Sequence, residues 1–266
     1  MRQSNRKRAR KVTAGKFLVW FLLALMGMEV SARASATDVH EIADICMLAN
    51  RVLKDYAMVG MGVTYHDPAT DLKNGAATID KYIADVISHD VGDLKVKTQE
   101  LADIWNGIKG DFLSKPEVGK AAKLRDTVAE FTKKCETLAF ALAEQTQIEG
   151  EKYVVEVSEL GMDTQHLGAL YMLKAWGVEN SHYYDDVEET INHFEALYAD
   201  LSKAPDSLVS PGIKKRLKTI DDRFLVFGFM ANSKSGRFMP TRAEKILSDV
   251  FVEIREILKL EQELVE

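Results

Sequence analysis

Proline is rare in this chain, and so is any alternation of polar and apolar residues. Only 5 of the 266 residues are proline, and all five lie where helix-period apolar stripes break. No segment alternates with period two for long enough to form a strand. Eight stripes with apolar residues at i, i+3, i+4 and i+7 cover the chain after Asp38. The sequence therefore predicts an all-α protein.

Long apolar runs are equally scarce. The longest, Phe17–Met28, covers 12 residues, while a helix that spans a membrane needs about 20. A second run, Phe224–Met230, has seven residues. We expect this second run in the core of a helical domain rather than at an exposed surface that binds a partner.

The N-terminal segment has the order of a secretory signal peptide. Seven Lys and Arg residues precede the apolar run, and two small-x-small sites, Ala32–Ala34 and Ala34–Ala36, follow it. A basic region, a short apolar region and an A-x-A site are typical of such a leader. We expect residues 1–36 to be removed after Ala34 or Ala36, which predicts a soluble periplasmic protein. An uncleaved membrane anchor is the alternative.

Positive charge is scarce once this leader is set aside. The whole chain has 35 Lys and Arg against 41 Asp and Glu, and the leader holds eight of the former and one of the latter. The remaining 27 basic and 40 acidic side chains give a formal net charge of −13. Such a surface repels nucleic acid, and no basic stripe with interleaved aromatic residues offsets it. Nucleic acid is therefore excluded as a partner.

Motifs of catalytic sites are missing as well. The chain has no G-x-S-x-G elbow, no P-loop and no G-x-G-x-x-G, so we expect no enzyme and no cofactor. His182, Asp186, Glu189 and His193 share one helix face and have side chains that suit zinc. Four ligands on one straight helix lie too far apart for a single ion, and we favour a solvated acidic face over a metal site.

The chain repeats itself at an offset of 115 residues. Tyr56–Val63 reappears as Tyr171–Val178, and the same offset pairs Asp71 with Asp186. Each half then holds four stripes, which is the composition of an antiparallel four-helix bundle. We expect two tandem bundles, residues 37–148 and 149–266. Because no Pro-rich or Ser-rich linker separates them, we also expect one long helix to join the two.

Cysteine is limited to Cys46 and Cys135, and an oxidising compartment favours a disulfide bond between them. In an antiparallel bundle the first and last helices are neighbours. Each cysteine lies 17 or 18 residues from the end at which these helices meet, so the two sulfur atoms have similar depth. The sequence predicts a disulfide, with two separate buried thiols as the alternative.

The repeated segment carries a family pattern. Residues 47–56 read MLANRVLKDY and are followed by Gly62-Val63, and a fainter copy has Met162, Gln165, Tyr171 and Gly177-Val178. This order resembles M-L-S-Q-R-x-x-K-x-Y in the first helix of the periplasmic sensor domain of PilJ-type pilus chemotaxis transducers and NarX-type nitrate and nitrite sensor kinases. The resemblance covers about 20 residues in each half.

The resemblance implies a non-catalytic ligand-binding, sensory or adaptor module of type IV pilus chemotaxis. Its partners would be a small anion, a membrane-bound signalling or envelope protein and, in a homodimer, a second copy. In the nitrate-sensing branch an Arg directly before the Met binds the anion at a dimer interface, and Cys46 and Gly161 stand there instead.

Polar residues within the two inner helices are the remaining candidates for a ligand site. They are Asn50 and Arg51 in the first copy and Gln165 and His166 in the second. A lone Arg on an inner helix face is also a common structural partner of a buried acid, which is the alternative for Arg51. The alternative function is a structural, envelope-scaffold or interaction protein that has lost its ligand.

Overall fold

The computed structural model describes residues 34–89 and 91–265, so most of the expected leader, residues 1–33, lies outside the described residues. Within those ranges the chain forms eight α-helices and no strand, and the prediction of an all-α protein is confirmed. The helices are α1 (Ala36–Gly60), α2 (Pro68–Ser88), α3 (Lys95–Phe112), α4 (Val118–Thr146), α5 (Glu151–Ala175), α6 (Tyr183–Lys203), α7 (Pro211–Ala231) and α8 (Pro240–Val265). A short 3-10 helix, Gly92–Leu94, precedes α3.

Helix α1 begins at a side-chain cap. The Ser35 hydroxyl accepts from the Asp38 backbone N–H at 3.2 Å, and the Asp38 carboxylate accepts from the Ser35 N–H at 2.8 Å. This reciprocal capping box satisfies two backbone donors that a helix end leaves unpaired. Processing after Ala34 preserves the cap, whereas processing after Ala36 removes it.

Two helices, α1 and α5, form the centre of the molecule. Helix α1 packs on α2, α4 and α5, while α5 packs on α6, α8 and α1; α3 lies on α4 and α7 lies on α8. Neighbours therefore surround both central helices, which explains why their residues are buried on almost every face. Residues Arg33–Glu266 form one compact unit, and the division into two four-helix bundles stays a prediction.

The two central helices run parallel, with repeat-equivalent residues close together. Met47 packs on Gly161, where an added Cβ would lie 2.5 Å from the Met47 sulfur. One end of the pair is closed by Trp176, which lies against Gly60. The residues in these contacts are 114 to 116 positions apart in the sequence, which matches the repeat offset of 115. The two halves are thus related by an approximate twofold axis between α1 and α5.

The expected long helix between the halves is wrong. Helix α4 ends at Thr146, Gln147 adopts a left-handed conformation with φ of 59°, and α5 begins at Glu151. Helix α4 is antiparallel to α1, because Ala34 at the start of α1 donates to Gln145 at the end of α4. Since α5 is parallel to α1, the chain must reverse between α4 and α5, and a continuous helix cannot do so.

A disulfide bond joins Cys46 on α1 to Cys135 on α4, the pairing that the helix depths predict. It connects residues 89 positions apart, and closing a loop of that length stabilises a fold by about 2–4 kcal/mol.

The apolar run Phe224–Met230 is only partly in the core. Phe224 and Phe227 are buried, as expected, but Leu225, Val226 and Phe229 are exposed. Buried and exposed side chains follow the helical period, because the run forms part of α7. One face of this helix packs on its neighbours and the other lies in solvent. None of the described helices combines the length and apolar character needed to cross a bilayer.

Candidate ligand-binding cleft

A cleft of about 910 Å³ opens between α4 and α6. Helix α5 forms its floor, through residues such as Met162, His166 and Leu170, and Asn50 reaches it from α1. We call this space the α4/α6 cleft. Two of the four sequence-predicted ligand residues, Asn50 and His166, line it, while Arg51 and Gln165 do not.

Asn50 and His166 meet across the interface of the central helices. The His166 Nδ1 atom lies 3.3 Å from the Asn50 Oδ1 atom, and Asn50 is buried. Burial lowers the pKa of His166, so its ring is neutral at neutral pH and acts as one donor and one acceptor. The pair therefore offers hydrogen bonds, and no formal charge, to a molecule in the cleft.

Arg51 is fully engaged elsewhere. Its Nη2 atom lies 2.6 Å from the Asp71 carboxylate, its Nε atom lies 3.7 Å from Asp55, and its guanidinium stacks at 4.1 Å over the Phe251 ring. These contacts hold together α1, α2 and α8. The structure thus gives Arg51 the structural role that was the alternative to anion binding.

Gln165 is buried with 1% of its surface exposed, and neither its Oε1 nor its Nε2 atom has a hydrogen-bond partner among the described residues. It lies on the inner face of α5, as predicted, but away from the cleft. The positions directly before Met47 and Met162, which are Cys46 and Gly161, are also closed to an anion. Cys46 is held in the disulfide bond, and Met47 packs on Gly161.

The approximate twofold axis relates the α4/α6 cleft to a groove between α2 and α8, which keeps only a smaller space of about 430 Å³ beside Asp44 and Arg255. Tyr56 accepts a hydrogen bond from the Glu117 N–H at 3.0 Å, and Tyr171 accepts one from the Met239 N–H at 2.7 Å. These equivalent contacts fix the register of α4 and α8. The twelfth residue after each anchor is Ala129 on α4 and Phe251 on α8. A methyl group therefore stands where the other half has a phenyl ring.

The side chains around Ala129 are also smaller than those around Phe251, or are paired elsewhere. Around Phe251 the long Arg51 side chain bonds to Asp71 and fills the space. The repeat equivalents of Arg51 and Asp71 are His166 and Asp186. His166 is shorter, and the Asp186 carboxylate accepts instead from Asn180 at 2.8 Å. The smaller and redirected side chains leave the α4/α6 cleft open.

One end of the cleft is acidic. Glu136 on α4, Asp163 on α5 and His193 on α6 line this end. Glu159 lies one turn before Asp163 on the same face of α5, and we call these four residues the acidic end. The His193 Nδ1 atom lies 2.8 Å from the Asp163 carboxylate. That hydrogen bond raises the pKa of His193 to about 9, whereas burial raises the pKa of Asp163 to about 6. At neutral pH the two form an ion pair.

Glu159 is the least solvated member of the acidic end. It is 6% exposed, and its Oε1 atom has no hydrogen-bond partner among the described residues. Burial first, and then the charge of Glu136 and a hydrogen bond with it, raise the pKa of Glu159 to about 8. At neutral pH Glu159 therefore keeps its proton.

The four residues considered for zinc all line the cleft, but they do not converge. His182 and Asp185 are highly exposed and 3.7 Å apart, and His193 pairs with Asp163. Among the residues that the structure describes, no three His, Cys, Asp or Glu side chains are placed to hold a metal ion. The helix face is a wall of the cleft, which the sequence alone did not suggest.

Sequence reasoning missed the acidic end and a buried ion pair. Lys54 is 1% exposed, and its Nζ atom lies 2.6 Å from Glu244 on α8 and 3.5 Å from Asp55. Lys54 belongs to the family pattern and Asp163 lies inside its second copy, so charged residues on inner helices were the available signal. Their partners lie on α4, α6 and α8, which no local pattern identifies.

Comparison of the chain with protein-family models, with curated proteins and with solved structures gives no match.

Proposed function

We propose that the protein is an exported, non-catalytic module that binds a small ligand in the α4/α6 cleft and works with a membrane-bound signalling or envelope protein. The observation that carries this proposal is the cleft itself, which replaces the packed Arg51–Phe251 contact of the other half. Its volume of about 910 Å³ falls in the range of small-molecule sites.

The polar side chains around the cleft support a binding role. They come from α1, α4, α5 and α6, so a ligand would contact both halves of the chain at once. The site has no nucleophile held by an adjacent base, and its His–Asp pair is an ion pair with the His already protonated. A general base must be unprotonated to act, so His193 cannot serve as one at neutral pH. The neutral His166 is paired with the Asn50 side chain, and binding is the better explanation.

Export and the membrane partner rest on the sequence. The basic, apolar and small-x-small order of residues 1–36 supports a periplasmic location, and the resemblance to PilJ/NarX-like sensor domains supports a sensory or adaptor role. A family resemblance does not by itself define a function, so the function is argued from the residues of the site.

The test is thermal melting of the processed protein with representative small ligands: nitrate, nitrite, carboxylates, amines and sugars. We expect one class to raise the melting temperature saturably, because a ligand bound only by the native state stabilises it. At a 100-fold excess over Kd the shift is about 5–10 °C for a chain of this size.

Ala129→Phe is the variant that probes the cleft, since it places a phenyl ring where Phe251 stands in the other half. Ala77→Phe on α2 is the matched control, because Ala77 is also exposed on a helix but lies outside the cleft. The ligand shift should vanish in the first variant and persist in the second. A shift that survives Ala129→Phe, or no shift with any class, contradicts the proposal.

A second candidate function has an observation of its own. Leu225, Val226 and Phe229 on α7 and Met239, directly before α8, are exposed and line one groove, and Phe229 is 83% exposed. Exposed apolar patches often mark interaction sites. We therefore also propose, as the alternative, a scaffold or interaction protein that has lost ligand binding. For such a protein we expect no ligand to raise the melting temperature. We also expect Phe229→Ser to abolish the association of the protein through this patch.

A further inference from the structure

The two halves treat one pair of equivalent carboxyl groups differently. The repeat offset pairs Asp44 with Glu159. Asp44 is buried and forms an ion pair with Arg255 on α8. The sixteenth residue after the Met239 anchor is Arg255, and the sixteenth after Glu117 is Lys133. The chain thus shows, in its own first half, that a carboxyl group at this position is compensated by a cation.

The second half lacks that compensation. Lys133 is exposed and forms no ion pair among the residues that the structure describes. Glu136, three residues after Lys133 on α4, instead faces Glu159. Three carboxyl groups, Glu136, Glu159 and Asp163, therefore meet with His193 as their only cationic partner within the described acidic end.

We propose that the acidic end of the cleft binds the ammonium group of an organic cation, which pairs with Glu159 and Glu136 as the Arg255 guanidinium pairs with Asp44. The unpartnered Glu159 Oε1 atom supplies one acceptor, and Glu136, which lines the open cleft, supplies another. This inference deepens the proposed function and rests on it.

The shape and charge of the cleft favour an organic ammonium ion over an inorganic one. Its lining includes five Asp and Glu residues against one Arg and one Lys, and the Arg125 guanidinium is already paired with Asp126 at 2.9 Å. No three side chains in the described part of the chain are arranged to hold a metal ion. The carbon chain of an amine would lie along Met162 and Leu170, which also line the cleft.

Binding of an ammonium ion should displace the proton that Glu159 holds. The carboxyl group loses its proton to solvent and becomes the carboxylate that pairs with the ligand. Glu136 from α4, Asp163 from α5 and His193 from α6 are the charged groups that surround Glu159. Since Glu159 holds its proton up to a pH of about 8, the displacement is measurable at pH 7.

Isothermal titration calorimetry of the processed protein, purified after export of the full chain, tests the inference. The probes are 1,4-diaminobutane and L-lysine, with 1,4-butanediol and succinate as uncharged and anionic molecules of similar length. We expect saturable heat with an amine alone. The heat should depend on the ionisation enthalpy of the buffer in the way that release of about one proton requires.

Two variants locate the binding. Glu159→Gln and Glu136→Gln should each weaken amine binding about 10- to 100-fold, the loss expected for a hydrogen bond to a charged group. Glu136 is only partly buried, so its variant remains informative if Glu159→Gln does not fold. Glu189→Gln, which removes another carboxylate of the cleft lining, is the matched control and should change affinity less than about twofold.

Several results would overturn the inference: no saturable heat with either amine, equal affinity for the diol or succinate, or amine affinity unchanged by both acidic-end variants. Tighter binding of Ca²⁺ or Zn²⁺ than of the amines would overturn it as well. If another ligand class produces the melting shift that Ala129→Phe removes, the amine inference fails alone. If no class produces one, the proposed function fails with it.

Discussion

At the scale of single residues, buried charge distinguishes this protein from an ordinary helical core. Lys54 lies within α1, one of the two central helices, where its amine meets Glu244 at 2.6 Å. Glu244 in turn accepts from the Ser248 hydroxyl at 2.7 Å. Bringing both charges out of water is unfavourable, so the pair is stable only while both partners are present.

Lys54→Met should therefore lower the free energy of unfolding by about 3–5 kcal/mol, because it leaves Glu244 buried and unpaired. The double variant Lys54→Met with Glu244→Met should recover most of that loss, since two apolar side chains of similar volume replace the pair. Urea denaturation of the wild type, both single variants and the double variant measures the coupling. A double variant no more stable than Lys54→Met would show that the pair does not act as a unit.

At this scale the sequence singled out two residues that line the candidate cleft and two that lie outside it. Asn50 and His166 stand out because they are polar residues on inner helix faces, and both line the cleft. Arg51 stands out for the same reason, yet its partners on α2 and α8 engage it fully. The difference depends on residues far away in the chain, Phe251 and Ala129, whose equivalence appears only when the helix register is known.

At the scale of helices, the period of apolar residues was sufficient to predict the number of elements. All eight stripes correspond to helices, because amphipathic periodicity reflects burial directly. The direction in which one helix runs relative to the next was not predictable in the same way. The missing linker suggested one long helix, but Gln147 in a left-handed conformation ends α4 and permits the reversal that parallel packing of α1 and α5 requires.

The close approach of α1 and α5 leads to a paired prediction about glycine. An added Cβ at Gly60 would lie 2.1 Å from the Trp176 ring, whereas one at Gly107 on α3 meets nothing within 4 Å. Gly60→Ala should destabilise the protein by about 1–3 kcal/mol through overpacking. Gly107→Ala should stabilise it by up to about 1 kcal/mol, because alanine is the better helix former.

Thermal or urea unfolding of both variants decides this prediction, and the opposite signs provide the control. If Gly60→Ala is as stable as the wild type, Trp176 can move aside and the parallel contact is looser than the structure indicates. If both variants gain stability, helix propensity alone governs the two sites.

At the scale of the whole molecule, the duplication places an approximate dimer within one chain. The equivalent helices α1 and α5 meet in parallel within one polypeptide. Duplicated halves are free to diverge, and these have done so at their outer grooves. One groove is closed by Arg51 and Phe251, and the other is open beside His166 and Ala129.

The buried acids give the molecule an unusual pH dependence. Burial raises the pKa values of Asp55, Glu151 and Glu261 to about 7 and that of Glu159 to about 8. The hydrogen bond with Asp163 raises the pKa of His193 to about 9. Each group binds its proton more tightly in the native state than in the unfolded state. Its stabilising contribution is complete below the unfolded pKa and is lost as the pH rises through the folded pKa.

Burial has the opposite effect on His40, whose pKa falls to about 4, and it lowers the pKa of His166 as well. These two groups destabilise the fold only when the pH falls below the ordinary histidine pKa of about 6.5. Above that value they are neutral in both states. The window from pH 6.5 to 8.5 therefore isolates the groups with raised pKa values.

Across this window we expect the free energy of unfolding to decrease as the pH rises, by about 1.4 kcal/mol per pH unit for each proton that the native state retains. Glu159→Gln should reduce that slope by about one proton at its lower end, because glutamine cannot titrate. Urea denaturation at half-unit pH steps measures both slopes. A flat profile, or the same slope in the variant, would mean that Glu159 is ionised in the native protein and has no proton for a cation in the cleft to displace.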